Sequence, residues 1–408
     1  MQHQYALSKN VICVLVAILA VMNVFPPLMG NSVVSITVTV LMFLAFIAIN
    51  AWNGMFVRNK IRLIALRFVM VIIYSALSNY FGKEYPQAIR AEIICFCALI
   101  IGISIYRKLQ NSLTDILRVY CLAMFISCIG YIIYWSTTGA YGYALKNNYS
   151  PMILFSVLIL FHMKDDLFKQ KLITYGILLF QLFVIFSTNC RSVAFSTCFL
   201  LMCFLLKHIS QLIKWRVNRN YFFGVILFAI IVFVFKDQLW KIIYDGLRLS
   251  ILEESGTEKY SANRLPMIAN GLRLWSENPL TMLFGASSGG YIECFYIDTL
   301  TYRGIIGLGL FLSYFASVLR NLFFSYSKTC KENKNLAGLG ISVFIAALLI
   351  GVFEAGAPLI QGSTYFIMWF LAGVTIECAD FYTIKEGWQD VGKSKAEDFK
   401  NYKEYICE

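Results

Sequence analysis

An all-α, polytopic membrane protein is the fold class this sequence predicts, and three observations predict it. Of 408 residues, 59% are hydrophobic and only 14% are charged, where soluble domains carry roughly 25% charged residues. Apolar runs of helix-spanning length, about 20 residues, recur along most of the chain. The Lys and Arg residues collect in the short stretches between those runs, which is how a multi-span protein encodes its orientation. The formal charge of +12 would suit nucleic acid in a soluble chain. Here it is dispersed, with no polybasic block interleaved with aromatics, so nucleic acid is excluded as a partner.

The first element follows from the N-terminus. MQHQYALSKN runs straight into VICVLVAILAVMNVF, no small-x-small cleavage site precedes PPLMG, and a second apolar run follows at once. That pattern reads as an uncleaved first helix. Further spans bring the expected set to about twelve: 9–26, 31–50, 61–78, 91–106, 116–136, 149–163, 170–187, 191–208, 220–236, 302–324, 336–353 and 358–379. The sixth starts at Ser150-Pro151, with proline in a favoured first turn. The seventh and eighth are joined only by the residues around Ser187 to Arg191.

One long segment, 237–301, is not apolar enough to cross. The organisation is therefore a nine-helix bundle over 1–236, a large loop over 237–301, a three-helix bundle over 302–379, and a polar tail over 380–408 that reads as a surface helix or a disordered segment. No internal repeat is evident, so the inverted-repeat signature of many transporters is absent.

Orientation follows from the basic residues. With the N-terminus inside, the cytoplasmic loops hold Arg58, Lys60 and Arg62, then Arg107, Lys108 and Arg118, then Lys164, Lys169 and Lys171, and so on to the tail. The opposite short loops hold only Lys83, Arg90, Lys146 and Arg191. Both termini are thus expected in the cytoplasm and the 237–301 loop outside.

Twelve cysteines suggest a framework until their positions are read. Most sit in apolar runs, where Cys behaves as a small hydrophobe, and no CxxC occurs. Cys190 and Cys294 both fall near the outer surface, where a disulfide between them is an option that nothing else in the sequence supports. His3, His162 and His208 all lie on the cytoplasmic side or its border, so chemistry outside must proceed without a histidine base. No diacidic motif for a metal-bound nucleotide sugar is present, and no metal or other cofactor is expected.

The informative charges lie on the outer side. Arg191 opens the apolar run SVAFSTCFLLMCFLL. It either snorkels to headgroups or, with the free N–H groups of that first turn, draws an anionic ligand. NRLPMIANGLRLWSENP reads as an amphipathic helix capped by Asn263, with Leu265, Ile268, Leu272 and Trp275 at helical spacing. Arg264 and Arg273 on it are about half a turn apart in direction. Arg264 then faces the protein and the membrane surface, and Arg273 faces solvent. The competing reading is a helix lying on the lipid surface.

Next, Gly285, Gly289 and Gly290 form a side-chain-poor turn through which a phosphate or sugar could approach the backbone. Glu293 and Asp298 follow, with Tyr296, Tyr302 and Arg303 beside them and Glu354 on the same side. Carboxylates at the mouth of a bundle are costly unless solvated or paired. Either they pair with Arg191, Arg264 or Arg303, or one of them orients or deprotonates a hydroxyl.

These phrases, in this order, resemble the bacterial O-antigen polymerase and ligase superfamily, specifically its polysaccharide repeat-unit polymerases. The resemblance is carried by NNYSP, STNCRS, SANR and GASSGGYIECFYIDTLTYRGIIGLGLF, together with the expected topology. It implies a glycosyltransferase C-type membrane fold and metal-independent, inverting transfer of a glycan. The donor is an undecaprenyl-diphosphate-linked repeat unit and the acceptor another such unit. The product is O-antigen, or capsular or exopolysaccharide, made at the outer face of the cytoplasmic membrane.

By the same resemblance Arg191 and Arg264 bind the diphosphate, and Glu293 or Asp298 orients or deprotonates the acceptor hydroxyl. Arg273, Tyr296, Tyr302, Arg303 and Glu354 belong to the surrounding substrate site. Membrane lipids and a chain-length regulator protein complete the implied partners. The related ligases use a histidine in the large outer loop, and this loop has none. A lipid-linked oligosaccharide flippase would also have many spans, but span interiors here look almost free of charge, which favours an enzyme over a transporter.

Overall fold

The computed structural model describes residues 59–80, 86–138, 143–168, 170–188, 190–214, 264–286, 292–330, 333–359 and 362–389. The expected spans 9–26, 31–50 and 220–236, the Asn263 cap, Gly289, Gly290 and most of the tail lie outside them. Every described element is helical: α1 (Asn59–Tyr80), α2 (Pro86–Thr138), α3 (Tyr143–His162), α4 (Lys171–Ser187), α5 (Arg191–Lys214), α6 (Arg264–Trp275), α7 (Pro279–Phe284), α8 (Phe295–Lys328), α9 (Lys334–Ile350) and α10 (Gly362–Gln389). The class is all-α, with long apolar helices consistent with a multi-span membrane protein. By length and composition four stretches could cross a bilayer: Arg62–Tyr80, Ile89–Tyr106, Leu113–Tyr134 and Phe295–Lys328. The other apolar helices are shorter.

Several boundaries differ from expectation. The spans expected at 91–106 and 116–136 are matched by the apolar stretches Ile89–Tyr106 and Leu113–Tyr134, which lie within a single helical element of 53 residues, Pro86–Thr138. At about 1.5 Å per residue a straight helix of that length would far exceed the roughly 30 Å hydrocarbon core. Its contacts show that it folds back. Cys95 reaches the Leu359 carbonyl and Gly102 abuts Phe370, so Ile89–Tyr106 runs parallel to α10. Arg118 donates to the Leu167 carbonyl, Tyr120 to Met152, and Tyr131 packs on Tyr149, so Leu113–Tyr134 runs antiparallel to α3.

Phe155 lies against Tyr365, and one level further along both helices His162 meets α9 at Gly338 and Ser342 where Thr375 meets it at Gly340; α3 and α10 thus run the same way, and the chain reverses between Tyr106 and Leu113. α3 begins at Tyr143, which puts Pro151 inside the helix and not in its first turn. α10 runs on to Gln389, so residues 380–389 continue the last helix. α8 starts at Phe295, within what sequence alone assigns to the outer loop.

The core is a seam among α2, α8, α9 and α10. Trp369, Tyr314, Phe344 and Phe315 interlock there, with Tyr314 stacked on Trp369 at 5.5 Å. α2 and α10 approach closely because Gly102 lies against the Phe370 carbonyl and Gly373 against that of Leu99, each with no room for a Cβ. Backbones meeting over glycine is the usual way to gain dispersion where the solvent is lipid.

α8 is broken at Gly304, whose φ of 64° and ψ of −173° are not helical. In an apolar surrounding the carbonyls freed by a break need new donors. Ala286 N–H serves Thr301 at 2.7 Å, and the Tyr74 hydroxyl serves Arg303 at 2.6 Å. α7 docks into the break: a Cβ on Gly304 would overlap the Leu283 carbonyl, and one on Gly285 (φ 84°) would overlap that of Tyr302.

Gly304→Ala is therefore expected to cost more than the roughly 1–3 kcal/mol of a disfavoured backbone conformation alone. A lowered thermal midpoint of the detergent-solubilised protein would report it. Gly309→Ala, five residues on with open space around it, serves as the control and should be close to neutral.

Candidate functional site

At one end of the bundle the phrases singled out in the sequence converge. Ser150 of α3 donates to Thr188 at 2.9 Å, and the Cys190 thiol lies 3.7 Å from the Asn147 side-chain oxygen and 3.3 Å from the Ser192 hydroxyl. The start of α3 and the α4–α5 turn are thus held together. Cys190 and Cys294 are both free thiols. Burial raises the Cys294 thiol, with backbone amides of the first turn of α8 partly opposing.

The centre of the site is Arg264, the first residue of α6. Its Nε donates to Glu293 Oε2 at 2.5 Å, and Nη2 donates to Glu354 Oε1 at 3.2 Å. The side chains of Arg264, Glu293 and Glu354 are only 14%, 11% and 9% exposed, so this is a largely desolvated triad and not a surface pair. Three chain segments supply it: the start of α6, the residues just before α8, and the turn after α9. Phe295 N–H donates to Gly351 O at 2.9 Å, which ties the second segment to the third.

Ser192 then donates to the same Glu354 Oε1 at 3.0 Å. Among the described residues both side-chain bonds to Glu354 converge on Oε1, and Oε2 takes none. Burial raises the Glu354 carboxyl above its ordinary range, with the Arg264 guanidinium opposing. Loss of hydration and the neighbouring Glu293 charge both disfavour the ionised form of Glu354, while the Arg264 guanidinium and the Ser192 hydroxyl favour it.

The sequence-singled residues divide as follows. Arg191 is the first residue of α5 and half-buried, one Cα step, about 3.8 Å, from Ser192. Arg264 faces inward and Arg273 outward, as the spacing predicts. Arg273 is exposed, donates to Asn270 at 3.0 Å and lies 4.0 Å from Glu277. The apolar stripe of α6 is only partly covered: Leu265 is 50% and Leu272 37% exposed, Ile268 and Trp275 are half-buried, and Gly271 is buried against Ile292 and Thr301.

Among the described residues Asp298 pairs with no arginine; in the first turn of α8 it accepts from Ile292 N–H at 3.4 Å. The Tyr296 hydroxyl donates to the Leu348 carbonyl and so pins α8 to α9. Tyr302 contributes the carbonyl that crowds Gly285.

Arg303 requires a correction. Sequence alone places it beside Glu293 and Asp298, but it points into the bundle. There Nη1 bonds Glu92 Oε1 at 2.9 Å and Ser75 Oγ at 3.0 Å, and the guanidinium lies 4.5 Å from the Phe311 ring centroid. Span interiors are therefore not almost free of charge: Glu92 and Arg303 form a buried ion pair across α2 and α8. Glu92 was missed by sequence reasoning, and so was Ser192, although STNCRS contained it. Among the described residues no three His, Cys, Asp or Glu side chains gather as metal ligands.

The cluster pairs an arginine with two carboxylates and a hydroxyl, half-closed, at the end of an apolar bundle. Such an arrangement can orient a hydroxyl and take its proton, with cations near enough to stabilise a developing negative charge. No protein-family model matches this chain, and no curated protein sequence matches it.

Proposed function

We propose that this protein is a glycan-polymerising glycosyltransferase of the cytoplasmic membrane, working on undecaprenyl-diphosphate-linked repeat units at the outer face. The reading includes about twelve spans, a glycosyltransferase C-type fold and both termini in the cytoplasm. The observation that carries it is the Arg264–Glu293–Glu354 triad with Ser192, reached from the same segments that bear the polymerase-like phrases. A carboxylate held beside a guanidinium suits hydroxyl activation, and Arg191 at the head of α5 suits the diphosphate leaving group. A chain-length regulator fits as a protein partner.

A second reading, a lipid-linked oligosaccharide flippase, gains from one observation: the buried Glu92–Arg303 pair, because charge inside a span often marks a transport path. Against it, the two charges are paired with each other, and with Ser75 they lock α1, α2 and α8 together.

Deletion of the gene, followed by sizing of surface glycan on a gel, separates the readings. Loss of a polymerase leaves single repeat units attached, loss of a ligase leaves long unattached polymer, and loss of a flippase leaves neither. Single attached units are the expected outcome; either other pattern overturns the proposal.

A further inference from the structure

The sequence assigns α6 and α7 to an aqueous outer loop, yet the break in α8 fixes a different height for them. The Leu283 carbonyl of α7 rests against Gly304. From Gly304 to Arg320 α8 carries no charge, and its exposed positions Ile305, Ile306, Gly309, Leu312 and Ala316 are all apolar or glycine. The rise over that stretch is about 24 Å, less than the roughly 30 Å of a hydrocarbon core, and tilt only shortens it. With both termini in the cytoplasm, as proposed above, Arg320 marks the inner boundary. α7 then packs on α8 within the outer edge of the hydrocarbon.

The surface of the segment suits that height. Leu280, Met282, Leu283 and Phe284 of α7 and Leu265 and Leu272 of α6 are exposed. At the break this surface adjoins Ile305 and Ile306, which belong to the outward face of a span. α7 itself, PLTMLF, has no charged residue.

Backbone groups away from water need partners within the protein, and the turn from α6 into α7 supplies them locally. The Asn278 side chain accepts from Leu280 N–H and Thr281 N–H, each at 3.0 Å. The Thr281 hydroxyl donates to the Trp275 carbonyl at 2.9 Å, and the Trp275 indole N–H donates to Met282 O at 3.0 Å. Gly285 N–H closes the helix on Thr281 O at 2.8 Å. Arg273 and Glu277, exposed and 4.0 Å apart, form a separate polar edge with Asn270.

We infer that α6 and α7 form a re-entrant segment in the outer leaflet, its exposed apolar residues covered by the acyl chains of membrane lipids and its Arg273–Glu277 edge at the headgroups. α6 then separates the bilayer from the triad. Arg264 at its head turns to Glu293 and Glu354, while its exposed leucines turn to lipid. This holds whichever reaction the triad performs.

The test uses the full chain in nanodiscs containing a phosphatidylglycerol with a diazirine on one acyl chain. After irradiation the lipid adducts are mapped by mass spectrometry. Adducts at residues 280–284 are expected at no less than about a tenth of the yield at residues 305–312, the internal standard for lipid contact. A smaller yield at 280–284, with 305–312 labelled, overturns the inference, whether water, a second copy of the chain or the expected spans 9–26 and 31–50 cover that face.

A second readout is the amount of folded protein in the membrane. Leu280→Asp, at a position 69% exposed, should lower it at least fivefold. In water an aspartate in the first turn of a helix is neutral or slightly favourable, so wild-type abundance of this variant overturns the inference as well.

Discussion

Arg303→Met is expected to destabilise the protein by about 3–5 kcal/mol, the usual cost of removing one partner from a buried ion pair. The side chains of Arg303 and Glu92 are 6% and 1% exposed, so the stranded Glu92 carboxylate would have no route to water. Three further contacts depend on the guanidinium arm: Ser75 at 3.0 Å, the Phe311 ring, and the Gly307 position, where a Cβ would strike the arginine stem. The experiment compares Arg303→Met, Glu92→Leu and the double variant by thermal midpoint in detergent. The double variant should recover much of the loss, because it removes the charges together. Equal losses in all three would show that the pair contributes little beyond side-chain volume.

That pair gives the polymerase-like phrase RGIIGLG a physical meaning. Arg303 reaches Glu92 from the last turn before the break, Gly304 makes the break, and Gly307 clears space for the Arg303 stem and the Tyr74 ring. Its conspicuous residues are structural fasteners that hold residues 295–303 of α8 against α7, so that the preceding Glu293 meets Arg264. A buried charge pair here positions a site near the end of the bundle, which is a different use from a transport path.

Much of the scaffold was legible because it rests on local pattern. Apolar runs mark α1, α4 and α9 and the start of α5 to within a few residues, α5 itself running on past 208 to Lys214, and a 100° step per residue separates inward Arg264 from outward Arg273. What stayed hidden was pairing at long range. Glu92 and Arg303 are brought together across 211 positions, and Arg264 and Glu354 across 90; no periodicity links such residues. The break at Gly304 was also hidden, since one glycine in an apolar helix reads as a tolerated defect. Ser192 was overlooked because the charge of Arg191 beside it drew the reading, whereas the hydroxyl is the group that touches a carboxylate.

Arg264→Ala is expected to abolish polymer, a loss of more than a hundredfold, and to lower the amount of folded protein as well. Removing the guanidinium takes from Glu293 and Glu354 the cation they share, and burying a carboxylate stripped of its partner costs several kcal/mol unless it is protonated. Arg264→Lys separates charge from shape. An ammonium is a single point charge on a flexible stem and does not reproduce the fork that serves two carboxylates through different nitrogens, so folded protein should largely return while polymer stays at least tenfold down. A triple variant, Arg264→Gln with Glu293→Gln and Glu354→Gln, should likewise restore abundance without restoring polymer. Arg273→Ala, at an exposed position nine residues along the same helix, should change neither readout by more than twofold. If Arg264→Lys made normal polymer, the geometry of the fork would be irrelevant and the site would need only a positive charge; the difference between Lys and Arg at this position therefore measures how far the reaction depends on holding Glu354 at a fixed angle.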